Sequence, residues 1–239
     1  MKEVGFRDDP NLALLLSVLE ALGDIRESLV LVGGCATGLL LTAPRAELIR
    51  ATRDVDVVAE LVSLSDYHEL EAAVSRRGFR HDLSPEAPIC RWIRDGTRLD
   101  LVPSRPEILG FSNSWYPLAV DLAERVKLPG GLAMRLIPAS VFVAAKLEAF
   151  WGRGEGDFLA SHDLEDILTV VDGRSELADE LANAPVRLRA YTGRQFSKLL
   201  EQPAFLESLP GHLPADPASQ ARLPDLLDRI RAIAALGKR

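Results

Sequence analysis

The stretch Thr52-Arg53-Asp54-Val55-Asp56-Val57-Val58 decides how this chain reads. Its β-branched valines favour a strand, and along a strand successive side chains alternate between faces. Asp54 and Asp56 therefore project to one side, and Val55 and Val57 to the other. Two carboxylates held side by side repel each other unless a cation lies between them. A divalent ion meets that need, and hard oxygen donors suit Mg²⁺ or Mn²⁺. A strand edge carrying two solvated charges is the alternative reading of the same residues.

Upstream, Leu29-Val30-Leu31-Val32 runs into Gly33-Gly34 and then into Cys35-Ala36-Thr37-Gly38-Leu39-Leu40-Leu41. This order predicts a strand, a glycine corner and a helix that Pro44 ends. Glycines let a backbone approach a ligand closely, and a helix start presents unpaired N–H groups to an anion. The same corner also occurs for geometry alone. Downstream, Ile89-Cys90-Arg91-Trp92-Ile93-Arg94 and Thr97-Arg98-Leu99-Asp100-Leu101-Val102 flank Asp95-Gly96, the strongest short hairpin signal. Asp100 lies between apolar neighbours of its strand, either as a third site carboxylate or as a charge facing solvent.

Taken in order, Gly33-Gly34, Asp54-x-Asp56 and Asp100 resemble the nucleotidyltransferase superfamily, the polymerase-beta-like fold. The texture Val-Gly-Gly-Cys-Ala followed by Thr-Arg-Asp-Val-Asp-Val-Val is most similar to the AbiEii branch, the type IV abortive-infection nucleotidyltransferases. That branch carries a later helical lysine and an acidic helix beyond it, here Lys146 and Asp163-Leu164-Glu165-Asp166-Ile167. The resemblance spans roughly residues 29 to 171. It implies an α+β chain, with an N-terminal catalytic domain, a small mixed β-sheet flanked by helices, over 1–137. A helical domain over 138–239 follows, the boundary set near Pro138.

The resemblance also implies a reaction. A nucleoside triphosphate gives up its nucleoside monophosphate to an acceptor, and pyrophosphate leaves. Two Mg²⁺ or Mn²⁺ ions about 3.5–4 Å apart serve the entering and leaving oxygens. Asp54 and Asp56 are the expected ligands of both ions. Asp100 is the expected ligand of the ion nearer the acceptor and the group that draws off its proton. Gly33 and Gly34 are expected to cradle the β- and γ-phosphates through backbone N–H groups. Cys35 departs from the hydroxyl residue common after such glycines, and Thr37 is its candidate substitute. Arg53, Lys146, Asp163 and Asp166 complete the expected nucleotide-binding set.

Several of these residues also have a plainer reading. Lys146 shares a helix face with Phe142 and Phe150, where a lysine stem can snorkel to the rim. Against that stand only five lysines beside 23 arginines, so Lys146 is not routine surface filler. Asp163 and Asp166 suit the first turn of any helix, where the dipole favours acids. His162, where related chains carry a basic residue, reads as exposed. Arg153, in the glycine-rich stretch 152–157, is a further phosphate candidate.

The acceptor is less legible. Arg76, Arg77, Arg80, Arg91, Arg94 and Arg98 outnumber the acids around them and would grip RNA phosphates if they shared one face. Trp92 and Trp115 would stack bases if exposed. The simpler reading sends the arginines outward to solvent and the tryptophans into the core. Three functions follow: an AbiEii-like enzyme acting on tRNA as a toxin with an antitoxin partner, an enzyme modifying a small aminoglycoside-like acceptor, and a non-catalytic nucleotide- or partner-binding protein.

Composition bounds the rest. The 239 residues suit one or two domains, with 47% hydrophobic and 26% charged residues. A net charge of −7 makes the whole molecule no magnet for polyanions. Cys35 and Cys90 form neither a disulfide framework nor a ligand spacing and read as small core residues. Residues 1–10 are charged and lack the apolar segment of a signal peptide, and no apolar run is long enough for a bilayer. The expectation is a cytoplasmic protein without membrane contact. Beyond the site, helices are expected over 11–22 and from Ser63 to Arg77, and a second hairpin over 125–137. Further helices are expected over 161–172, 175–183, 185–201 and 218–236, and an irregular segment from Pro203 to Pro217.

Overall fold

The structure is a computed structural model. It describes all residues except 1, 5–7, 44–45, 62, 154–155 and 239, and all their side chains except those of 2, 3, 46, 153 and 238. The chain forms two compact units, Met1–Leu39 with Ala51–Pro138, and Leu40–Arg50 with Ala139–Arg239. The short stretch Leu40–Arg50 thus belongs with the C-terminal part of the chain, which no single cut in the sequence expresses. Among the described residues, no helix is long and apolar enough to cross a membrane.

The first unit is α+β. Its strands are β1 (Lys2–Glu3), β2 (Leu29–Val32), β3 (Asp54–Ala59), β4 (Arg80–His81), β5 (Arg91–Arg94), β6 (Thr97–Pro103), β7 (Glu124–Lys127) and β8 (Ala133–Leu136). Its helices are α1 (Leu12–Leu22), α2 (Gly34–Leu40), α3 (Leu64–Arg76), α4 (Pro106–Leu109) and α5 (Tyr116–Leu122). The strands form one mixed sheet in the order β1-β7-β8-β2-β3-β6-β5-β4. At its centre β3 runs antiparallel to β2 and parallel to β6, with Asp56 opposite Val32 on one side and Asp100 on the other. β2 is buried along its whole length, and in β3 the buried Val55 and Val57 alternate with the partly exposed Asp54 and Asp56. Burial of the valines holds this alternation in register, because a slip of one residue would drive both aspartates into the core. α1 and α5 pack against β3, so helices flank the sheet.

Local signals account for most of these elements. Ser63 caps α3 in a reciprocal box with Asp66, satisfying N–H groups that a helix start leaves open. Asp95 and Gly96 both have positive φ, 49° and 79°, as a tight hairpin turn between β5 and β6 requires. β1 was not expected. It is two residues long and gains its partner β7 only in the folded unit, where the pairing is parallel. α4 and α5 also went unread, although each has a proline in its first turn, a position where proline's missing N–H costs nothing.

The second unit is helical: α6 (Ala139–Arg153), α7 (His162–Gly173), α8 (Leu177–Ala182), α9 (Val186–Leu200), α10 (Pro203–Ser208), α11 (Pro217–Gln220) and α12 (Leu223–Ala235). Two expectations need correction. The stretch from Pro203 to Pro217 is not irregular, for Pro203 opens α10 and a 3₁₀ turn follows over Leu209–His212. The single helix over 218–236 is two, α11 and α12, each with a proline in its first turn. In both stretches the prolines start helices rather than break them. Pro44, expected to end the helix after the glycine corner, lies outside the described residues; α2 ends at Leu40.

Candidate active site

β3 carries the first two carboxylates to one face of the sheet, and the glycine corner meets the second of them. Gly33 has a φ of +64°, and a Cβ built there would lie 1.9 Å from Asp56 Oδ2. The Asp56 carboxylate therefore occupies the space that a side chain at position 33 would fill. This close approach, and not the turn alone, makes glycine necessary. The corner is also tied to the start of β3, since the Cys35 thiol donates to the backbone carbonyl of Asp54 at 3.4 Å. Cys35 thus has a structural task. Gly34 and Thr37 are buried in α2; the Thr37 hydroxyl has no solvent access and no hydrogen-bond partner. Arg53 is exposed.

The third carboxylate arrives on β6. In the parallel register Asp56 stands opposite Asp100, and Asp54 opposite Arg98. Paired positions of neighbouring strands face the same way, so Asp54, Asp56 and Asp100 share a face. Asp100 is only 7% exposed. Its two oxygens accept from Arg91 Nε at 2.8 Å and Nη2 at 2.6 Å, and the same Nη2 donates to Asp54 Oδ2 at 2.8 Å. The other Asp54 oxygen accepts from the Thr52 hydroxyl at 2.8 Å. One guanidinium nitrogen thus gathers two of the three carboxylates. The hydrogen bonds to Asp100 hold the Arg91 guanidinium charged above its already high ordinary pKa, outweighing its partial burial. The neighbouring Cys90 thiol is pushed up to about 12, first by burial and then by the Asp100 charge.

Arg91 is the residue that sequence reasoning placed wrongly, sending it outward with the other arginines. A signal for it was present. A two-residue turn at Asp95-Gly96 sets the hairpin register, and counting back from it pairs Arg94 with Thr97 and Arg91 with Asp100. Of the other arginines of that stretch, Arg80 and Arg98 line up through Ile93 with Asp54, on the carboxylate face. Arg77 pairs with Asp24, and Arg94 pairs with Asp95 while lying over the Phe79 ring. Trp92 and Trp115 are buried, as the simpler reading expects. Trp92 packs on the His81 ring, with centroids 3.8 Å apart.

A second charged group forms within the second unit. Lys146 Nζ on α6 lies 3.0 Å from Asp163 Oδ1 and 2.7 Å from Asp166 Oδ2, both on α7. Arg50 Nη2 reaches the same Asp166 oxygen at 3.3 Å. Burial alone would lower the Lys146 pKa, but the charges of Asp166 and Asp163 overcome it and the net shift is upward. Lys146 also keeps Phe142 beneath it, the ring centroid 5.8 Å from Nζ. His162 is exposed, as expected, and lies 3.5 Å from Glu165. The side chain of Arg153, the further phosphate candidate, lies outside the described residues.

The first-unit carboxylates suit a hard divalent ion in donor type and in the direction they face. Their spacing suits it less. Among the described residues no three His, Cys, Asp or Glu side chains are grouped to hold a metal ion, and Arg91 Nη2 bonds both Asp54 and Asp100.

No family model matches the chain, and no curated protein matches it in sequence. Among solved structures, JHP933 from Helicobacter pylori aligns with 98% of this chain and 91% of its own, at 14% identity and a TM-score of 0.45. A second Helicobacter pylori protein, assigned provisionally as a nucleotidyltransferase, aligns with 98% of this chain and 94% of its own, at 12% identity and a TM-score of 0.44.

Proposed function

We propose that the chain is a nucleotidyltransferase, moving a nucleoside monophosphate from a nucleoside triphosphate to an acceptor. The observation that carries this reading is the common face of Asp54, Asp56 and Asp100, with the Gly33 backbone lying against Asp56. A module that only binds a partner has no need of three carboxylates gathered on one face. Arg91 is bonded to two of the three carboxylates and Arg98 stands opposite Asp54 on the same face; the three acids still outnumber these two arginines, which supports a site for a further cation.

In this reading Asp54, Asp56 and Asp100 hold Mg²⁺ or Mn²⁺, which when bound supplies charge stabilisation at the entering and leaving oxygens. The acceptor atom forms its bond to the α-phosphorus, and the bond to the bridging oxygen breaks. Pyrophosphate leaves with that electron pair, and the acceptor's proton passes to the Asp100 carboxylate. Gly33 and Gly34 direct backbone N–H groups to the β- and γ-phosphates. The Lys146–Asp163–Asp166 group has its charges engaged with one another, which supports a role in holding the second unit together.

The acceptor is open to experiment. Buried Trp92 and Trp115 offer no ring to a base, and several arginines are already paired, so a small acceptor is tested beside tRNA. The protein is incubated with each labelled NTP, Mg²⁺ and either total tRNA, protein or aminoglycosides. Label should enter one acceptor class and be absent with Asp56→Asn. No transfer to any class by the folded protein would overturn the reading. Label on tRNA would favour the AbiEii-like reading, and a small antitoxin-like gene beside this one would then support the toxin role.

A further inference from the structure

Arg91 stands on β5 directly across from Asp100 in the antiparallel register, so its stem rises on the carboxylate face. Its fork matches both oxygens of Asp100, and its Nη2 uses both of its N–H bonds, one on Asp100 and one on Asp54. The side chain is 16% exposed, against 28% for Asp54 and 10% for Asp100. This is the position that a cation shared by the two carboxylates would take. A divalent ion asks for the same oxygens, at close range and in a fixed geometry. The guanidinium competes with it for those oxygens, and two positive charges so close repel each other.

We propose that Arg91 is the resident cation of the Asp54–Asp100 pair, and that a divalent ion reaches these two carboxylates only by displacing its guanidinium. Arg91 is then a positioning residue: it keeps the repelling carboxylates together until the ion arrives, and it sets how tightly the ion is held. The inference rests on the metal-dependent reading above. It separates Arg91 from an ordinary structural ion pair, because its removal should act in opposite directions on two measurements. Without metal, the carboxylates lose their counter-charge and the fold weakens. With metal, a competitor is gone and binding tightens.

The test uses Mn²⁺ as the probe, with free Mn²⁺ followed by electron paramagnetic resonance as it is added to the full chain in metal-free buffer. Arg91→Gln should bind Mn²⁺ roughly tenfold or more tightly than the unaltered protein, the scale of an ordinary coupling between two ligands. Its urea midpoint should fall in EDTA and recover on adding Mn²⁺. Arg91→Lys keeps the charge but cannot fork across Asp100. It should bind Mn²⁺ more tightly than the unaltered protein and less tightly than Arg91→Gln, and it carries the test if Arg91→Gln does not fold. Equal or weaker Mn²⁺ binding in both variants, with binding still abolished by Asp56→Asn, overturns the role of Arg91 and leaves the metal reading standing. No Mn²⁺ binding by the unaltered protein or either variant overturns both.

Discussion

Replacing Gly33 by alanine separates two physical costs that the structure places at one position. The first is conformational: Gly33 has a φ of +64°, and an L-residue there loses about 1–2 kcal/mol. The second is collision. The new methyl carbon would lie 1.9 Å from Asp56 Oδ2, 2.5 Å from its Cγ and 2.6 Å from its Cβ. The last of these is fixed on β3 and cannot swing away, and forcing a methyl into filled space costs about 1–3 kcal/mol. Gly33→Ala should therefore destabilise the first unit by about 2–5 kcal/mol. Gly96→Ala is the control, because Gly96 has a φ of +79° with nothing within 4 Å of a built Cβ; only the conformational cost applies, about 1–2 kcal/mol. Asp56→Ala removes the two closest atoms, so the double variant should fall short of the additive loss by about 0.5–3 kcal/mol, as for residues in contact. The assay is urea unfolding followed by tryptophan fluorescence in a Trp151→Phe background. Of the three tryptophans, Trp92 and Trp115 then report on the first unit alone. If Gly33→Ala costs no more than Gly96→Ala, or the cycle closes additively within about 0.5 kcal/mol, the packing of the corner against Asp56 is wrong.

Asp54→Asn combined with Asp56→Asn should abolish transfer in the labelled-NTP assay while the urea midpoint of the protein changes little, since relief of like-charge repulsion offsets the loss of the Arg91–Asp54 ion pair; activity persisting in the double variant would reject the catalytic assignment. Lys146→Met leaves Asp163 and Asp166 as buried charges without their ammonium and should cost about 3–5 kcal/mol, most of it regained when both aspartates are also changed to asparagine. Because the folded Lys146 pKa lies above its ordinary 10.5, its stabilisation is complete below that pH and is lost as pH rises through the folded value. The unaltered protein should therefore lose stability above about pH 10.5 more steeply than Lys146→Met, and parallel pH curves would contradict this. If Lys146 also meets a triphosphate, Lys146→Ala should weaken NTP binding by about 1.5–3 kcal/mol and leave AMP binding nearly unchanged; equal losses for both ligands would confine it to structure. Cys35 and Cys90 are buried, and the Cys90 thiol is pushed up to about 12, so an alkylating reagent at pH 8 should label neither in the native protein and both in urea; rapid native labelling of Cys90 would show that β5 opens.

Asp54 and Asp56 share a face because of strand alternation, a property of seven consecutive residues that needs no folded partner. The glycine corner, the Ser63 cap and the Asp95-Gly96 turn were legible for the same reason: each depends on the conformational preferences of a few neighbouring residues. Even the pairing of Arg91 with Asp100 was within reach, through the fixed register of a two-residue hairpin. What the sequence could not determine was the meeting of strands far apart in the chain. Neither β3 nor β6 carries a local instruction to run parallel, or to set Asp56 against Asp100. That register follows from burying Val55, Val57, Leu99 and Leu101 together, a free energy that exists only once the sheet has formed. The same holds for Arg50 and Asp166, 116 residues apart, and for Lys146, whose apolar stripe was visible but whose two carboxylate partners come from the packing of α6 on α7. Above all, the joining of Asp54 to Asp100 through Arg91 was a tertiary decision. The hairpin register sets Arg91 across from Asp100, but its bond to Asp54 exists only once β3 has paired with β6.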